Sequence, residues 1–316
     1  MKRAALLFLA FLTAGSALAA RSGSWLATVE EKEPGRIYFS ILSGRHNQIG
    51  TTMRVADFAG LSEVIGATTQ TPAHFRMARE AGTIEFEGTF KDGRGAGQFT
   101  FTPNAAYAAT IRSLGLTFDG DDDDLFSLTL FDLSSAFIRS MRAEGYDEDL
   151  DTYTSMRIFN VTPEFIHEMA SLGFKKISAD DLVATRIHKV TPDYIRQMRA
   201  AGFNLSLDEL VASRIHKATP EFAAQMRDLG YNLKHDDLIA FRIHKVTPEF
   251  IKELDSLGYH HLDADDLVQM RIFKVTPDFI RDLAKAGYRN VPVDKLVEMK
   301  MNHIDAKFLD AMSKQQ

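Results

Sequence analysis

Hydrophobic and polar residues alternate along much of residues 24–101, which is the pattern of half-buried β-strands. Six short runs carry the alternation, and turn signals such as Pro34-Gly35 and Asp92-Gly93 separate them. The clearest pair flanks Asp92-Gly93, as a hairpin requires. Its apolar positions are Ile84, Phe86, Phe99 and Phe101. The pattern predicts a β-rich domain over residues 21–101, either a small antiparallel sandwich or a barrel, interrupted by one short helix over residues 55–66.

From Thr102 onward, apolar residues recur every three to four positions, which indicates helices. A Val-Thr-Pro signal sets the register of a repeat, at spacings of 29, 28, 28 and 29 residues. Its first residues are Val161, Val190, Ala218, Val246 and Val275. Decayed copies begin at Thr102 and Leu133, and a truncated one begins at Ile304. The sequence therefore predicts an α+β fold in which residues 102–316 form an α-solenoid of about seven two-helix repeats, the last truncated.

Local signals divide each repeat into two helices. In the copy that begins at Val161, Thr162 is a good N-cap and Pro163 suits the first helical position. Gly173 can adopt the left-handed conformation that ends a helix, and Ser178 with Asp181 can cap the second helix. Because one helical hairpin is too small to bury its own apolar face, stacking of neighbouring repeats must complete the core.

Arginine recurs at the end of the second helix, at Arg157, Arg186, Arg214, Arg242 and Arg271, and lysine follows three residues after each of the last four. One interpretation is a ladder between repeats, in which each arginine pairs with a carboxylate of a neighbouring repeat. The recurrent carboxylate pairs are Asp180-Asp181, Asp208-Glu209, Asp236-Asp237 and Asp265-Asp266. The other interpretation is a basic row that binds an acidic partner. The candidate partner-binding row consists of Arg186, Lys189, Arg214, Lys217, Arg242, Lys245, Arg271 and Lys274.

Other candidate chemistry follows the repeat period and favours structural roles. His188, His216 and His244 would stand about 10 Å apart, too far for neighbours to share one metal ion. The acidic run Asp121–Asp124 lacks the glycine and distal glutamate of a calcium loop, which predicts a solvated loop. No P-loop, zinc-protease motif or Ser-His-Asp order is present. We therefore expect no catalytic residues, no cofactor and no metal.

Composition and the N-terminus narrow the setting of the protein. The 316 residues carry a formal net charge of −6, which argues against a nucleic-acid partner. Residues 1–20 combine Lys2 and Arg3 with a short apolar run that ends in small residues, which predicts a secretory signal peptide. We expect an exported protein, periplasmic or secreted, with no membrane span after cleavage. The absence of cysteine excludes disulfides, thiol catalysis and a lipid-anchored cysteine.

The repeat motif resembles that of a known class of bacterial proteins. Units of the form VTPEFIxEMxxLGFxxxSADDLVAxRIHK are similar to those in exported proteins of unassigned function and in the C-terminal extensions of BlaR-type (M56-like) metallopeptidases. The β segment REAGTIEFEGTFKDGRGAGQFTFTPN resembles the region that precedes such arrays. The peptidase's HExxH motif and membrane helices are missing here. The resemblance therefore implies a sensing or docking module without peptidase activity.

Two functions remain open from the sequence. The first is a non-enzymatic scaffold whose curved repeat surface binds a protein or peptide in the cell envelope, because solenoids present extended surfaces. The alternative is a small-ligand-binding or sensing protein whose β domain encloses an apolar cavity lined by Trp25 and phenylalanines.

Overall fold

The computed structural model describes residues 21–43 and 47–313. The predicted signal peptide, residues 1–20, lies outside these ranges. The chain divides into two compact bodies, Met1–Pro163 and Glu164–Gln316, which we call the N-terminal and the C-terminal body. Within the described ranges, no helix is both long and apolar enough to cross a membrane.

The predicted α+β fold class is confirmed, because a six-stranded antiparallel sheet precedes a helical repeat region. The strands are β1 (Arg21–Val29), β2 (Arg36–Ser43), β3 (Asn47–Arg54), β4 (Thr71–Ala78), β5 (Gly82–Lys91) and β6 (Arg94–Pro103). They form one sheet in the order β3-β2-β1-β6-β5-β4. Two three-stranded meanders are thus joined through the pairing of β1 with β6.

The sheet is strongly curled. The ring centroids of Phe39 on β2 and Phe75 on β4 lie 6.1 Å apart, although three strands separate β2 from β4 in the sheet order. In a flat sheet, four strand spacings would place them about 19 Å apart. Curling brings the edge strands β3 and β4 towards each other, as in a partly open barrel.

The connection between β3 and β4 differs from the prediction. The expected short α-helix over residues 55–66 is wrong, since two single 3₁₀ turns, Val55–Asp57 and Leu61–Glu63, occupy this stretch. Gly60 separates them with a φ of 92°, a conformation that glycine adopts without strain. The backbones of Ala59 and Arg76 exchange hydrogen bonds of 2.9 and 3.0 Å, which fastens this connection to β4.

The hairpin of β5 and β6 is confirmed, with the strands meeting at a two-residue turn, Asp92-Gly93. Ile84 pairs with Phe101 and Phe86 with Phe99, and all four side chains are buried. The inner face also holds Trp25, whose ring contacts four phenylalanine rings at centroid distances of 5.2–6.2 Å. These rings pack on one another and fill this part of the sheet interior.

The helices are nearly uniform in length. They are α1 (Ala105–Ser113), α2 (Asp122–Leu130), α3 (Ser135–Ala143), α4 (Leu150–Ile158), α5 (Pro163–Ser171), α6 (Ala179–Ile187), α7 (Pro192–Ala200), α8 (Leu207–Ile215), α9 (Pro220–Asp228), α10 (His235–Ile243), α11 (Pro248–Ser256), α12 (Ala264–Ile272), α13 (Pro277–Lys285), α14 (Val293–Met301) and α15 (Ala306–Ser313). Each odd-numbered helix and the even-numbered helix after it form one repeat. We number the repeats 1 (α1 and α2) to 7 (α13 and α14), and α15 begins an eighth.

The predicted caps are present. The hydroxyl of Thr191 accepts a hydrogen bond from the backbone N–H of Tyr194 at 3.2 Å, and Thr219, Thr247 and Thr276 do the same in their helices. Gly202 ends α7 with a φ of 95°. The N–H of Phe203 then donates to the carbonyl of Met198 at 2.9 Å, which completes a Schellman motif. Caps at both ends thus satisfy terminal backbone groups of α7.

Stacking of like helices builds the core of the C-terminal body. Along the even-numbered helices, α6 packs on α8, α8 on α10, α10 on α12 and α12 on α14. Each contributes one fully buried leucine from the same position of the repeat. These are Leu182, Leu210, Leu238, Leu267 and Leu296. In the N-terminal body, α2 packs on β5 and β6, with the Phe126 ring 5.3 Å from the rings of both Phe99 and Phe101.

Candidate interaction surface

The recurrent arginines link successive repeats. The Nε atom of Arg214 donates to the carbonyl oxygen of His188 in the preceding repeat at 3.1 Å. Arg242 donates in the same way to His216 at 3.5 Å, and Arg271 to His244 at 3.2 Å. The contact between repeats agrees with the ladder interpretation, but for these three arginines the predicted carboxylate acceptor is wrong. Arg157, at the same repeat position, does contact a carboxylate, that of Asp132 at 2.6 Å. The acceptor on these repeats is a backbone carbonyl.

The helix ends explain this choice of acceptor. His188 and His216 are C-cap residues, and the last carbonyls of a helix lack intrahelical donors and carry partial negative charge. A guanidinium is therefore well placed there. The guanidinium carbon also lies over an aromatic ring of its own repeat, 4.7 Å from the centroid of Tyr194 for Arg214 and 4.8 Å from that of Phe165 for Arg186. Burial lowers the pKa of Arg186, as expected for a cation partly removed from water.

A second set of arginines links successive odd-numbered helices. This set was not predicted from the sequence. Arg199 donates to the carbonyl of Leu172 at 2.7 Å, and Arg227 donates to that of Ala201 at 2.7 Å. Both acceptors lie at the end of the odd-numbered helix one repeat earlier. The available signal was an arginine three residues before the recurring glycine, as in Arg199 and Gly202.

The recurrent lysines occupy a different environment from the arginines. Lys189, Lys217, Lys245 and Lys274 are exposed and follow the ends of α6, α8, α10 and α12. Their φ angles lie between 55° and 57°, so they stand in the left-handed position that glycine takes after the odd-numbered helices. A lysine costs more there than glycine, by roughly 1 kcal/mol. Of the eight candidate residues, the four lysines are therefore the ones that present charge to solvent, and we call them the lysine row.

Exposed isoleucines, which were not singled out from the sequence, accompany the lysines. We call Ile187, Ile215, Ile243 and Ile272 the isoleucine row; between 46% and 51% of each residue is exposed. Ile187 lies five residues after the buried Leu182, which is about 140° around the helix axis. That angle was readable from the sequence and indicates a second face.

Exposed aspartates complete the surface at the opposite end of the same helices. Asp180, Asp208, Asp236 and Asp265, which we call the aspartate row, each lie in the first turn, where negative charge is favoured. Each stands seven residues before an isoleucine of the row, so both lie on one helix face, about 10.5 Å apart. The surface thus has an acidic border, an apolar centre and a basic border.

A groove between α8 and α10 lies on this surface. Its volume is about 490 Å³, and its apolar walls include Ala212, Ile239 and Ile243. Asp208 and Asp236 stand at its acidic end and His244 at the other. This arrangement can hold an apolar side chain of a partner while charged residues contact the polar flanks of that partner.

The histidines supply backbone and packing contacts. His188, His216 and His244 offer their carbonyl oxygens to the arginines described above. His235 lies 2.9 Å from the Ser213 hydroxyl, with carboxylates of Glu209 and Asp236 near its other ring nitrogen. Ser213 is fully buried and donates to the backbone carbonyl of Glu209 at 2.8 Å, so this group joins repeats 4 and 5 and offers no accessible nucleophile.

A separate cleft of about 430 Å³ lies in the N-terminal body. Arg54 and Arg79 contact the Asp57 carboxylate at 2.7 and 3.0 Å, while Arg79 and Arg157 contact that of Asp132 at 3.3 and 2.6 Å. Burial alone would raise the pKa of Asp57, but hydrogen bonds from Arg54 and Arg79 lower it below its usual value. These alternating positive and negative side chains thus form ion pairs that connect the sheet to repeats 1 and 2.

The acidic run proves to be part of a helix start. Asp121 caps α2 by accepting a hydrogen bond from the N–H of Asp124 at 2.8 Å, and residues 122–124 form the first turn. In the described part of the chain, no three histidine or carboxylate side chains are grouped so that they could hold a metal ion.

Comparisons with known proteins do not identify a family for this chain. No protein-family model matches the chain, and no curated protein or solved structure matches it. The resemblance to repeat extensions of BlaR-type metallopeptidases therefore stays a prediction from the motif.

Proposed function

We propose that this chain is an exported, non-enzymatic interaction protein that binds a protein partner in the cell envelope through the even-numbered helices of its C-terminal body. The observation that carries the proposal is the isoleucine row. Four aliphatic side chains, each about half exposed, recur in the same position of consecutive repeats. An apolar surface continued in register over several elements is unusual for a face that meets only water.

The lysines of the same turns support this proposal. Each lysine row member stays in a left-handed backbone conformation although glycine would relieve the strain. Strain that recurs at one position suggests that the side chain serves a purpose. Of the basic row predicted from the sequence, we therefore assign only the four lysines to the partner-binding surface. Export is proposed from the sequence of residues 1–20 alone.

Site-directed photo-crosslinking tests the proposal. A benzophenone amino acid replaces Ile215 or Ile243 in the full chain, expressed in a host that carries the natural partners, and the cells are irradiated. Leu26 is the matched control, because it is apolar, 54% exposed and lies on the sheet. We expect one protein to be captured from both isoleucine positions and not from Leu26. Capture should fall when the neighbouring isoleucine is changed to glutamine.

Two results would count against the proposal. Equal adducts from the isoleucine positions and from Leu26 would indicate non-specific contact. Capture that persists after Ile215→Gln and Ile272→Gln, with the label at Ile243, would indicate that the isoleucine row does not form the binding surface.

A further inference from the structure

We infer that the partner presents an amphipathic α-helix that lies across the even-numbered helices and places an apolar side chain on the isoleucine row at every seventh residue. The inference rests on the proposed function and specifies the form of the partner segment. Three features of the surface carry it, namely its spacing, its width and its charged borders.

The spacing of the row matches a helix. Helices in contact pack with their axes about 8–10 Å apart. Since α6, α8, α10 and α12 pack consecutively, the row offers one isoleucine about every 10 Å. Seven residues of an α-helix rise about 10.5 Å and make nearly two full turns, so every seventh side chain returns to the same face.

Other peptide conformations fit less well. Three residues of a β-strand also span about 10 Å, but side chains three apart point to opposite faces. A polyproline II segment repeats its face about every 9 Å, yet such segments dock in grooves lined by aromatic rings. The row here is aliphatic.

The width of the apolar strip also suits a helix. Each isoleucine of the row has a half-buried Val or Ile four residues earlier, one turn along the same face. These residues are Val183, Val211, Ile239 and Val268. The apolar strip therefore extends about 6 Å, one helical turn, from the isoleucine row towards the aspartate row. It can cover the broad apolar stripe of an amphipathic helix, whereas a single line of side chains would not.

The charged borders specify the flanks of the partner helix. One flank would face the aspartate row and the other the lysine row, so we infer basic residues on the first flank and acidic residues on the second. A helix that reaches all four isoleucines spans three intervals of seven residues, which makes the segment roughly 22 residues long.

The experiment maps crosslinks from each rung of the row. The benzophenone amino acid is placed singly at positions 187, 215, 243 and 272 of the full chain, and mass spectrometry locates each adduct on the captured molecule. We expect adducts from successive positions to lie about seven residues apart along one segment. The mapped segment is then synthesised as a peptide, and its affinity for the full chain is measured by fluorescence anisotropy.

Proline scanning of that peptide tests its conformation. A proline at the centre of a helix costs about 3 kcal/mol, so binding should weaken about a hundredfold, whereas a proline at the first helical position is tolerated and serves as the control. Changing Lys217 and Lys245 to glutamate should weaken binding of the unmodified peptide at least tenfold and reduce its dependence on salt.

The outcomes separate this inference from the proposed function. Adducts about three residues apart, adducts scattered over distant parts of a partner, or a peptide indifferent to central proline would overturn the helix and leave a protein-binding surface. Adducts only with a second copy of this chain or with lipid would overturn both the helix and the proposed partner. The absence of any rung-specific adduct would also refute both.

Discussion

The contact between repeats at Arg214 leads to a prediction that separates structural cations from surface cations. Arg214→Met keeps the aliphatic stem over the Tyr194 ring but removes the Nε donor, 3.1 Å from the carbonyl of His188, and the charge, 4.7 Å from the ring. A hydrogen bond from a charged donor contributes about 1.5 kcal/mol when half-buried. The cation–π contact adds about 0.5 kcal/mol. The expected loss is therefore about 2 kcal/mol in the free energy of unfolding.

The matched control is Lys217→Met, three residues further along. Lys217 is exposed, so the free energy of unfolding should change by less than about 0.5 kcal/mol. Arg214→Lys should fall between the two variants, because the charge stays while the planar fork is lost. The melting temperature is followed by circular dichroism at 222 nm. For a body of roughly 150 residues, we expect Arg214→Met to lower it by about 4–8 °C.

The single tryptophan adds an internal reference to this measurement. Trp25 is fully buried in the sheet of the N-terminal body, so its fluorescence reports on that body alone. Loss of helical signal in Arg214→Met should occur at a lower temperature than in the wild-type protein, while the Trp25 transition stays unchanged. If Arg214→Met melts within about 1 °C of Lys217→Met, the arginine ladder does not stabilise the repeats and our reasoning is refuted.

Four further perturbations follow from the structure. Gly202→Val should lower the free energy of unfolding by at least about 1–2 kcal/mol in urea titrations, because a β-branched residue would have to adopt a left-handed φ of 95°. Lys217→Gly should raise it by about 0.5–1 kcal/mol, since glycine adopts the φ of 57° without strain. Deletion of residues 190–217, one whole repeat, should lower stability yet leave the helical signal per residue nearly unchanged, because each repeat contacts mainly its neighbours. Asp57→Asn should lower the urea midpoint of the Trp25 transition more at pH 7 than at pH 3. The folded-state pKa of Asp57 is lowered, so its ion pairs stabilise the protein above the ordinary carboxyl pKa, and this stabilisation is lost as the pH falls.

Each of these predictions has a clear contrary result. A Gly202→Val protein as stable as the wild-type protein would show that the left-handed position imposes no strain on a branched side chain. A destabilised Lys217→Gly would mean that the lysine side chain contributes more to folding than its strained backbone costs. Complete loss of helical signal in the deletion variant would contradict an array of separable repeats. If Asp57→Asn lowered the urea midpoint equally at pH 7 and pH 3, ionisation of Asp57 would not be the cause.

The sequence by itself determined the features that depend on neighbours along the chain. Threonine caps, prolines at the first helical position and glycines after the odd-numbered helices act within four residues, so their pattern places helix ends correctly. The hairpin of β5 and β6 could be predicted for a similar reason, since alternating runs flank the turn signal Asp92-Gly93, whereas the pairing of Phe86 with Phe99 came from the structure. The repeat length then followed from the regular recurrence of these signals.

Only the tertiary structure decided what the repeated side chains touch. The acceptor of Arg214 is a carbonyl of another repeat, 26 residues earlier, and no local rule distinguishes it from a nearby carboxylate. The curl of the sheet likewise depends on contacts such as Phe39 with Phe75, between strands that are not adjacent. The helix period places Ile187 on a different face from Leu182, but only the packing of α6 on α8 shows which of the two faces is covered and leaves Ile187 46% exposed. Burial is set by neighbours in space, and a repeat pattern specifies those neighbours only after the repeats are stacked.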